Sequence, residues 1–261
     1  MDLGLAEETA LVTASTSGLG LASATALAGE GANVAICGRD EERLDAARET
    51  VAAAGPGAVL AVRADITDPD TVTALVAETV ERFGGLDHLV TSAGGPPSGP
   101  FLDTDDADWE AAYDLLVLSA VRTLRKAHSR LEASDAGTWT AITSTSVREP
   151  IEGLVLSNAV RRGVVGLVKT VAREFAPEIR ANAVLPGPHE TPRIEELVEA
   201  DVERGEYDSY EAGLDDWASD VPLGRVGEPR ELGETVAFLS SDRASFVTGT
   251  ALPVDGGRTR S

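Results

Sequence analysis

Between Thr9 and Glu30 the chain reads TALVTASTSGLGLASATALAGE. At its centre, Thr13-Ala14-Ser15-Thr16-Ser17-Gly18-Leu19-Gly20 is a run small enough to let backbone N–H groups approach a diphosphate. Before the run, Thr9 to Thr13 is short, apolar and β-branched, as a buried parallel strand requires. After it, Leu21, Thr25 and Ala28 recur at helical spacing. A strand, a small-residue turn and a helix N-terminus together form an anion cradle, because the helix end adds partial positive charge. The chemistry implied is nucleotide binding. Metal chemistry finds no ligand set: His88, His128 and His189 are far apart in sequence and lack cysteine partners.

The elements that would position this turn continue along the whole chain. Strands are expected at 33–37, 59–63, 86–91, 139–143, 179–185 and 250–254. Helices are expected at 40–54, 68–83, 105–131, 154–175 and 228–240, with Thr67-Asp68-Pro69 as one start signal. The stretch 187–220 reads as irregular and acidic, a lid-like insertion at about 188–220. Strict alternation of strand and helix implies one parallel sheet covered on both faces. No composition break or internal repeat divides the chain, so residues 1–261 are expected to form a single domain.

Composition excludes several classes. A chain of 261 residues can bury a core without disulfides, and the lone Cys37 fits a reducing cytoplasm. No basic-then-apolar leader and no run of 18 apolar residues occurs, so neither secretion nor a membrane span is expected. Against 44 Asp and Glu stand 22 Lys and Arg, and only Lys126 and Lys169 are lysines. A formal charge of −22 repels nucleic acid. With 43% apolar residues the chain is not disordered. Acidity of this degree suits concentrated salt, where the Debye length falls to about 3 Å at 1 M and self-repulsion is screened.

Five marks at fixed places resemble the short-chain dehydrogenase/reductase family, in particular its 3-oxoacyl-(acyl-carrier-protein) reductase-like members. Thr13 to Gly20 is similar to the family's T-G-x-x-x-G-x-G turn, with Ala14 in place of the first glycine. The methyl group costs little where φ is negative. Asp65-Ile66 resembles the adenine-side pair after strand three, and Ser92-Ala93-Gly94 after Thr91 the N-N-A-G after strand four. Pro186-Gly187 through Thr191 resembles P-G-x-x-x-T after strand six. The tail, Gly224-Arg225 through Glu228-Pro229 and Val247-Thr248-Gly249 to Asp255-Gly256-Gly257, completes the set. Each alone could be an ordinary turn; their common place at strand carboxyl ends is where open α/β sheets bind ligands.

The resemblance implies a doubly wound α/β Rossmann fold with a seven-stranded parallel sheet in the order 3-2-1-4-5-6-7. It also implies a dinucleotide held by Thr13, Ser15, Ser17, Gly18, Leu19, Gly20, Arg39, Asp65, Ile66, Ser92, Ala93, Gly94, Arg161, Pro186, Gly187 and Thr191. Where NAD-type sites carry a carboxylate after strand two, this chain has Gly38-Arg39. A guanidinium matches a 2′-phosphate, so NADP(H) is expected over NAD(H), with Asp40 and Glu41 as the opposing consideration. A homotetramer or homodimer is implied, through the long helices and the last strand. Leu115, Leu118, Val165 and Val168 could serve that interface or the chain's own core.

The catalytic positions depart from the family. Its Ser, its Tyr thirteen residues on, its Lys four beyond and its helix Asn fall on Ser144, Ser157, Arg161 and Leu116. A phenol near pKa 10 can be brought toward neutrality by a close cation, whereas a serine hydroxyl lies far above that range. Losing a positioned general acid costs about 10²–10⁴ in rate. Other sources of the proton are His189, Tyr207, Tyr210 and Glu152, and Arg148 and Arg193 could hold an anionic substrate. The reading is an NADP(H)-dependent oxidoreductase acting on a carbonyl or secondary alcohol of a small molecule, 3-oxoacyl thioesters included. The alternatives are a cofactor-binding sensor, scaffold or subunit with little turnover, and a non-redox lyase or epimerase.

Overall fold

The computed structural model describes residues 2–260. Seven strands form one parallel sheet: β1 (Thr9–Val12), β2 (Asn33–Gly38), β3 (Val59–Arg63), β4 (His88–Thr91), β5 (Thr138–Ile142), β6 (Arg180–Pro186) and β7 (Ala251–Val254). Their spatial order is β3-β2-β1-β4-β5-β6-β7, as the family resemblance implies. The order reverses between β1 and β4, which leaves a crevice above their carboxyl ends. All of β1, β4 and β5 is buried, including the polar His88, Thr91, Thr138 and Thr140, as central strands covered on both faces are.

Helices cover both faces. On one side α1 (Gly18–Gly29), α2 (Glu41–Ala54) and α9 (Pro229–Ser240) bury Leu27, Val51 and Val236 against the sheet. On the other, α3 (Pro69–Phe83), α5 (Ser119–Leu131) and α6 (Val155–Glu174) close over Leu75, Leu124 and Val168. Val168 is fully buried within its own chain, whereas Leu115 and Val165 are only partly covered. The C-terminus of α9 is held by Arg180, whose guanidinium donates to the Leu239 and Ser241 carbonyls at 2.9 Å each. A cation there satisfies carbonyls that no helix residue can reach.

Two segments differ from the sequence expectation. The stretch 187–220 is not irregular but holds α7 (Pro192–Glu203) and α8 (Tyr210–Ser219). Pro192 at the start of α7 and the Ser209 cap of α8, which accepts from Ala212 N at 3.2 Å, are ordinary start signals. Gly213 lies inside α8 because the two helices meet there: a methyl group would lie 2.6 Å from Val198 Cγ1. The helix expected at 105–131 is interrupted after α4 (Asp106–Tyr113) by a π turn, Asp114–Leu118, before α5 continues. Such turns occur mostly at functional sites. This one carries Leu115 into the crevice and Leu116 into the core.

Candidate active site

A cleft of about 650 Å³ runs along the carboxyl edge of the sheet, from the end of β2 to the loops after β5 and β6. Its floor at the β1 end is the small-residue turn. Gly20 is required there, because a side chain would collide with the Ala14 carbonyl oxygen. Ala14 itself has φ +46°, so the condition of negative φ fails and its methyl group sits in the left-handed region. The strain is about 1–2 kcal/mol. Ser17, Gly18, Leu19 and Gly20 line the cleft. Ser17 makes no side-chain bond to the helix it precedes, and no acidic residue occupies the first turn of α1. The first N–H groups of that helix therefore face the cleft without an internal anion, an arrangement that fits a diphosphate.

Thr13 and Ser15 lie beneath the turn rather than in the cleft lining. Thr13 Oγ1 donates to Ser92 O at 2.7 Å and accepts from Ser92 N at 2.9 Å, joining the loops after β1 and β4. Ser15 Oγ donates to Val12 O at 2.7 Å and accepts from Cys37 N at 3.0 Å, joining β1 to β2. Burial pushes the Cys37 thiol up to about 12, so it remains an inert core group.

At the β2 end the lining includes Gly38, Arg39, Asp40 and Arg43. Thr16 packs so closely on Gly38 that a side chain there would displace it. Both neighbouring carboxylates have partners. Asp40 caps α2, its Oδ1 accepting from Arg43 N at 2.9 Å, and that bond holds its carboxyl below the usual range. Glu41 lies 3.9 Å from Arg63 Nη1. Arg39 extends into solvent with 77% of its side chain exposed, 3.8 Å from Asp65 Oδ2. Asp65 is fixed by Thr67, whose N and Oγ1 donate at 3.0 and 2.7 Å. Ile66, Ser92, Ala93 and Gly94 complete that wall. Thr16 and Arg43 escaped the sequence reading; Arg43 is one helical turn beyond Arg39, a spacing that could have flagged it.

At the β5 end the expected catalytic positions converge. Ser144 follows β5, and its Oγ accepts from Ser146 N at 3.1 Å, leaving its own proton to donate into the cleft. Ser157 and Arg161 project from successive turns of α6, and both are about nine-tenths buried. Arg161 makes three bonds of 3.2 Å: Nε to Ser157 Oγ, Nη1 to Thr143 O and Nη2 to Gly94 O. Ser157 Oγ stands 3.5 Å from Ser146 Oγ. All of the partners of Arg161 are neutral. Desolvation, and then the nearby positive charge of Arg193, lower its pKa to about 10, so it remains cationic at neutral pH. Leu116 is 4% exposed in the core and takes no part in the cleft.

The loop after β6 supplies Pro186, Gly187, His189 and Thr191 to the lining, and Thr191 Cγ2 packs beside Gly18. His189 is buried, which lowers its pKa, and its Nδ1 lies 3.0 Å from Gly187 O. That bond places the proton of the neutral ring on Nδ1, where it is already donated to the backbone. Tyr207 is outside the cleft: its hydroxyl donates to Asp216 at 2.8 Å, and that bond pushes the phenol up to about 12. Tyr210 and Glu152 are likewise absent from the lining. Arg148 points elsewhere, donating to Ala251 O at 2.9 Å, whereas Arg193 does line the cleft. Trp217 and Arg258, which the sequence did not single out, join it there.

The family model described as Enoyl-(Acyl carrier protein) reductase matches residues 13–259. The chain belongs to the short-chain dehydrogenase/reductase family. It is 37% identical over 263 residues to the cis-4-hydroxycyclohexanecarboxylate dehydrogenase of Sinomonas cyclohexanicum, covering 99% of each chain. Among solved structures, L-sorbose reductase from Gluconobacter frateurii, complexed with NADPH and L-sorbose, superposes with a TM-score of 0.95 at 30% identity over 100% of both chains. An NADPH-bound short chain oxidoreductase of Pseudomonas aeruginosa PAO1, described as containing an atypical catalytic center, superposes at 0.89 with 32% identity and 98% of each chain. As a member of this family the chain is a nicotinamide-dependent oxidoreductase. Among the described residues no helix is long and apolar enough to cross a membrane, and no three His, Cys, Asp or Glu side chains gather as a metal site.

Proposed function

We propose that this short-chain dehydrogenase/reductase interconverts a ketone and a secondary alcohol with NADP(H), using Ser144, Ser157 and Arg161 in place of a phenol-based acid. The observation that carries the reading is the buried Arg161 guanidinium, held by three neutral acceptors in the same cleft as Ser144 and the diphosphate turn. Burying a cation without a carboxylate is unfavourable unless a ligand uses its field. The first turn of α1 would hold the diphosphate, Arg39 and Arg43 the 2′-phosphate, and Arg161 the ribose nearest the nicotinamide. When bound, that cofactor supplies a hydride to the carbonyl carbon or takes it back.

The rest is the work of the protein. Ser144 donates a hydrogen bond to the carbonyl oxygen, keeps its own proton, and orients the carbonyl. As negative charge grows on that oxygen, the fixed Arg161 cation stabilises it in a site of low dielectric. Ser157, whose oxygen is occupied by Arg161 Nε, has its own proton available to pass to the alkoxide. Water in the cleft then restores that proton. In the reductive direction one hydride and one proton are added and the C=O π pair becomes the O–H bond. α7 and α8 act as the lid over the substrate end. A reading without turnover draws on the missing phenol: no tyrosine among the described residues lines the cleft.

The test is NADPH oxidation against a panel of ketones and 3-oxoacyl thioesters in molar KCl. Turnover is expected, with Ser144→Ala lowering kcat by about 10²–10³ as for loss of one oxyanion donor while NADPH affinity holds. Tight NADPH binding with no oxidation across the panel supports the silent alternative.

A further inference from the structure

The charge of the cleft runs against that of the chain. Overall, acids outnumber bases two to one, 44 against 22. At the substrate end of the cleft the ratio inverts, with Arg161, Arg193 and Arg258 facing one carboxylate, Glu196. Arg193 stands on the first turn of α7, where Nη2 donates to Pro96 O at 3.3 Å and Nη1 meets Glu196 Oε2 at 3.0 Å. It is close enough to Arg161 for the two positive charges to repel. Arg258 lies over the Trp217 ring at 5.6 Å and has no ion-pair partner among the described residues. Beside the Ser144 and Ser157 hydroxyls, this end also presents an apolar surface from Leu115, Ile151 and Leu154 across to Leu197.

We propose that the substrate is an oxo or hydroxy acid with an apolar body, its carboxylate held by Arg193, with Arg258 as a further guanidinium in the lining of the same cleft. The assignment rests on the ketone and secondary-alcohol reading above and adds the second functional group of the substrate. Two like charges brought together in a partly enclosed cleft repel each other, and an anion between or beside them removes that repulsion. The planar fork of Arg193 suits a carboxylate, and its bond to the Pro96 carbonyl already fixes one end of the group. Glu196 is then the internal competitor. It takes Nη1 in the free protein, and with 68% of its side chain exposed it can yield that position at little cost. The hydrocarbon body lies against the apolar wall, and the carboxylate is unchanged by the redox step.

Calorimetric titration with cyclohexanecarboxylate and its neutral isostere cyclohexanecarboxamide, with and without saturating NADP+ and at one ionic strength, reads the carboxylate site without turnover. The acid is expected to bind at least about tenfold more tightly, as a charge-assisted bidentate contact implies. Arg193→Gln should bring acid and amide within about twofold and Arg193→Lys should retain part of the preference, since a charge persists without the fork. Glu196→Gln should tighten the acid alone. Equal affinity for acid and amide, no binding of the acid, or a preference that survives Arg193→Gln overturns the proposal. Ketone turnover without acid preference sinks this proposal and leaves the redox reading intact; acid preference without turnover does the reverse.

Discussion

Arg161 Nε and Ser157 Oγ stand 3.2 Å apart on successive turns of α6, so the cation of this site polarises an aliphatic hydroxyl. The same guanidinium spans the cleft floor from Thr143 O to Gly94 O, a reach that an ammonium cannot match with one donor geometry. The pair therefore changes together or not at all. Ser157→Tyr with Arg161→Lys is expected to raise kcat/KM for ketone reduction by at least about tenfold, because it restores a titratable acid beside a cation. Ser157→Tyr alone should lower NADPH affinity, since the phenol enters the space beside the Arg161 side chain. Steady-state kinetics with NADPH titrations decide it. No gain in the double variant with cofactor affinity intact would show a pocket rebuilt for another proton path.

The proposed preference for NADP(H) rests on Arg39, which extends from the end of β2 while Asp40 is engaged as the cap of α2. With that carboxylate drawn onto Arg43 N, its repulsion toward a 2′-phosphate is reduced. Arg39→Gln is expected to weaken NADPH by about tenfold or more, the loss of one charge-assisted contact, and to leave NADH within about twofold. Dissociation constants for both reduced cofactors from fluorescence titration provide the check. An equal change in the two would mean that Arg39 serves only Asp65 and the folded loop.

Much of this site was legible because each binding loop follows the carboxyl end of a short, mostly buried strand. The sheet order and the places of Ser144, Ser157 and Arg161 came instead from the resemblance, whose marks fall at the carboxyl ends of those strands. The helices at 192–203 and 210–219 were hidden by acidic residues on their exposed faces, although Ile194 and Val198 carry the helical period. The π turn at Asp114–Leu118 was invisible, because an extra residue in a helix leaves no mark that composition can show. Arg258 and Trp217 are 41 residues apart in the chain, and only the fold makes them neighbours. The proton on His189 depends on a backbone carbonyl two residues away, which no spacing rule encodes.

Acid stability should pass through Glu231. Its carboxylate accepts from Arg225 Nη1 and Nη2 at 2.8 and 2.6 Å and from Glu228 N at 2.8 Å, closing the start of α9. These bonds lower its pKa from 4.5 to about 2, the Arg225 contact first. A carboxylate depressed by folding stabilises the native state above its unfolded pKa, and that contribution fades as pH falls through the folded value. The difference in Tm between the wild type and Glu231→Gln should thus be constant above pH 4.5 and shrink toward pH 2. The group is only half-buried, so high salt should also narrow it. Thermal scans across that range are the measurement, and a difference that grows on acidification contradicts the assignment.

The strained residue in the small-residue turn after β1 offers the last expectation. Ala14 holds φ +46°, a conformation that costs an alanine about 1–2 kcal/mol and a glycine almost nothing. Ala14→Gly relieves that strain but loosens the unfolded chain, which takes back about 0.4–1 kcal/mol. The net gain is on the order of 0.5–1 kcal/mol, or about 2 °C in Tm for a chain of this length. The position also bears on binding, because the Ala14 carbonyl is the group that keeps Gly20 free of a side chain. Gly20→Ala should therefore weaken NADPH far more than Ala14→Gly alters it. A rise in Tm with unchanged NADPH affinity in Ala14→Gly meets the expectation. A fall in Tm would mean that the methyl group packs against the turn strongly enough to outweigh its backbone strain.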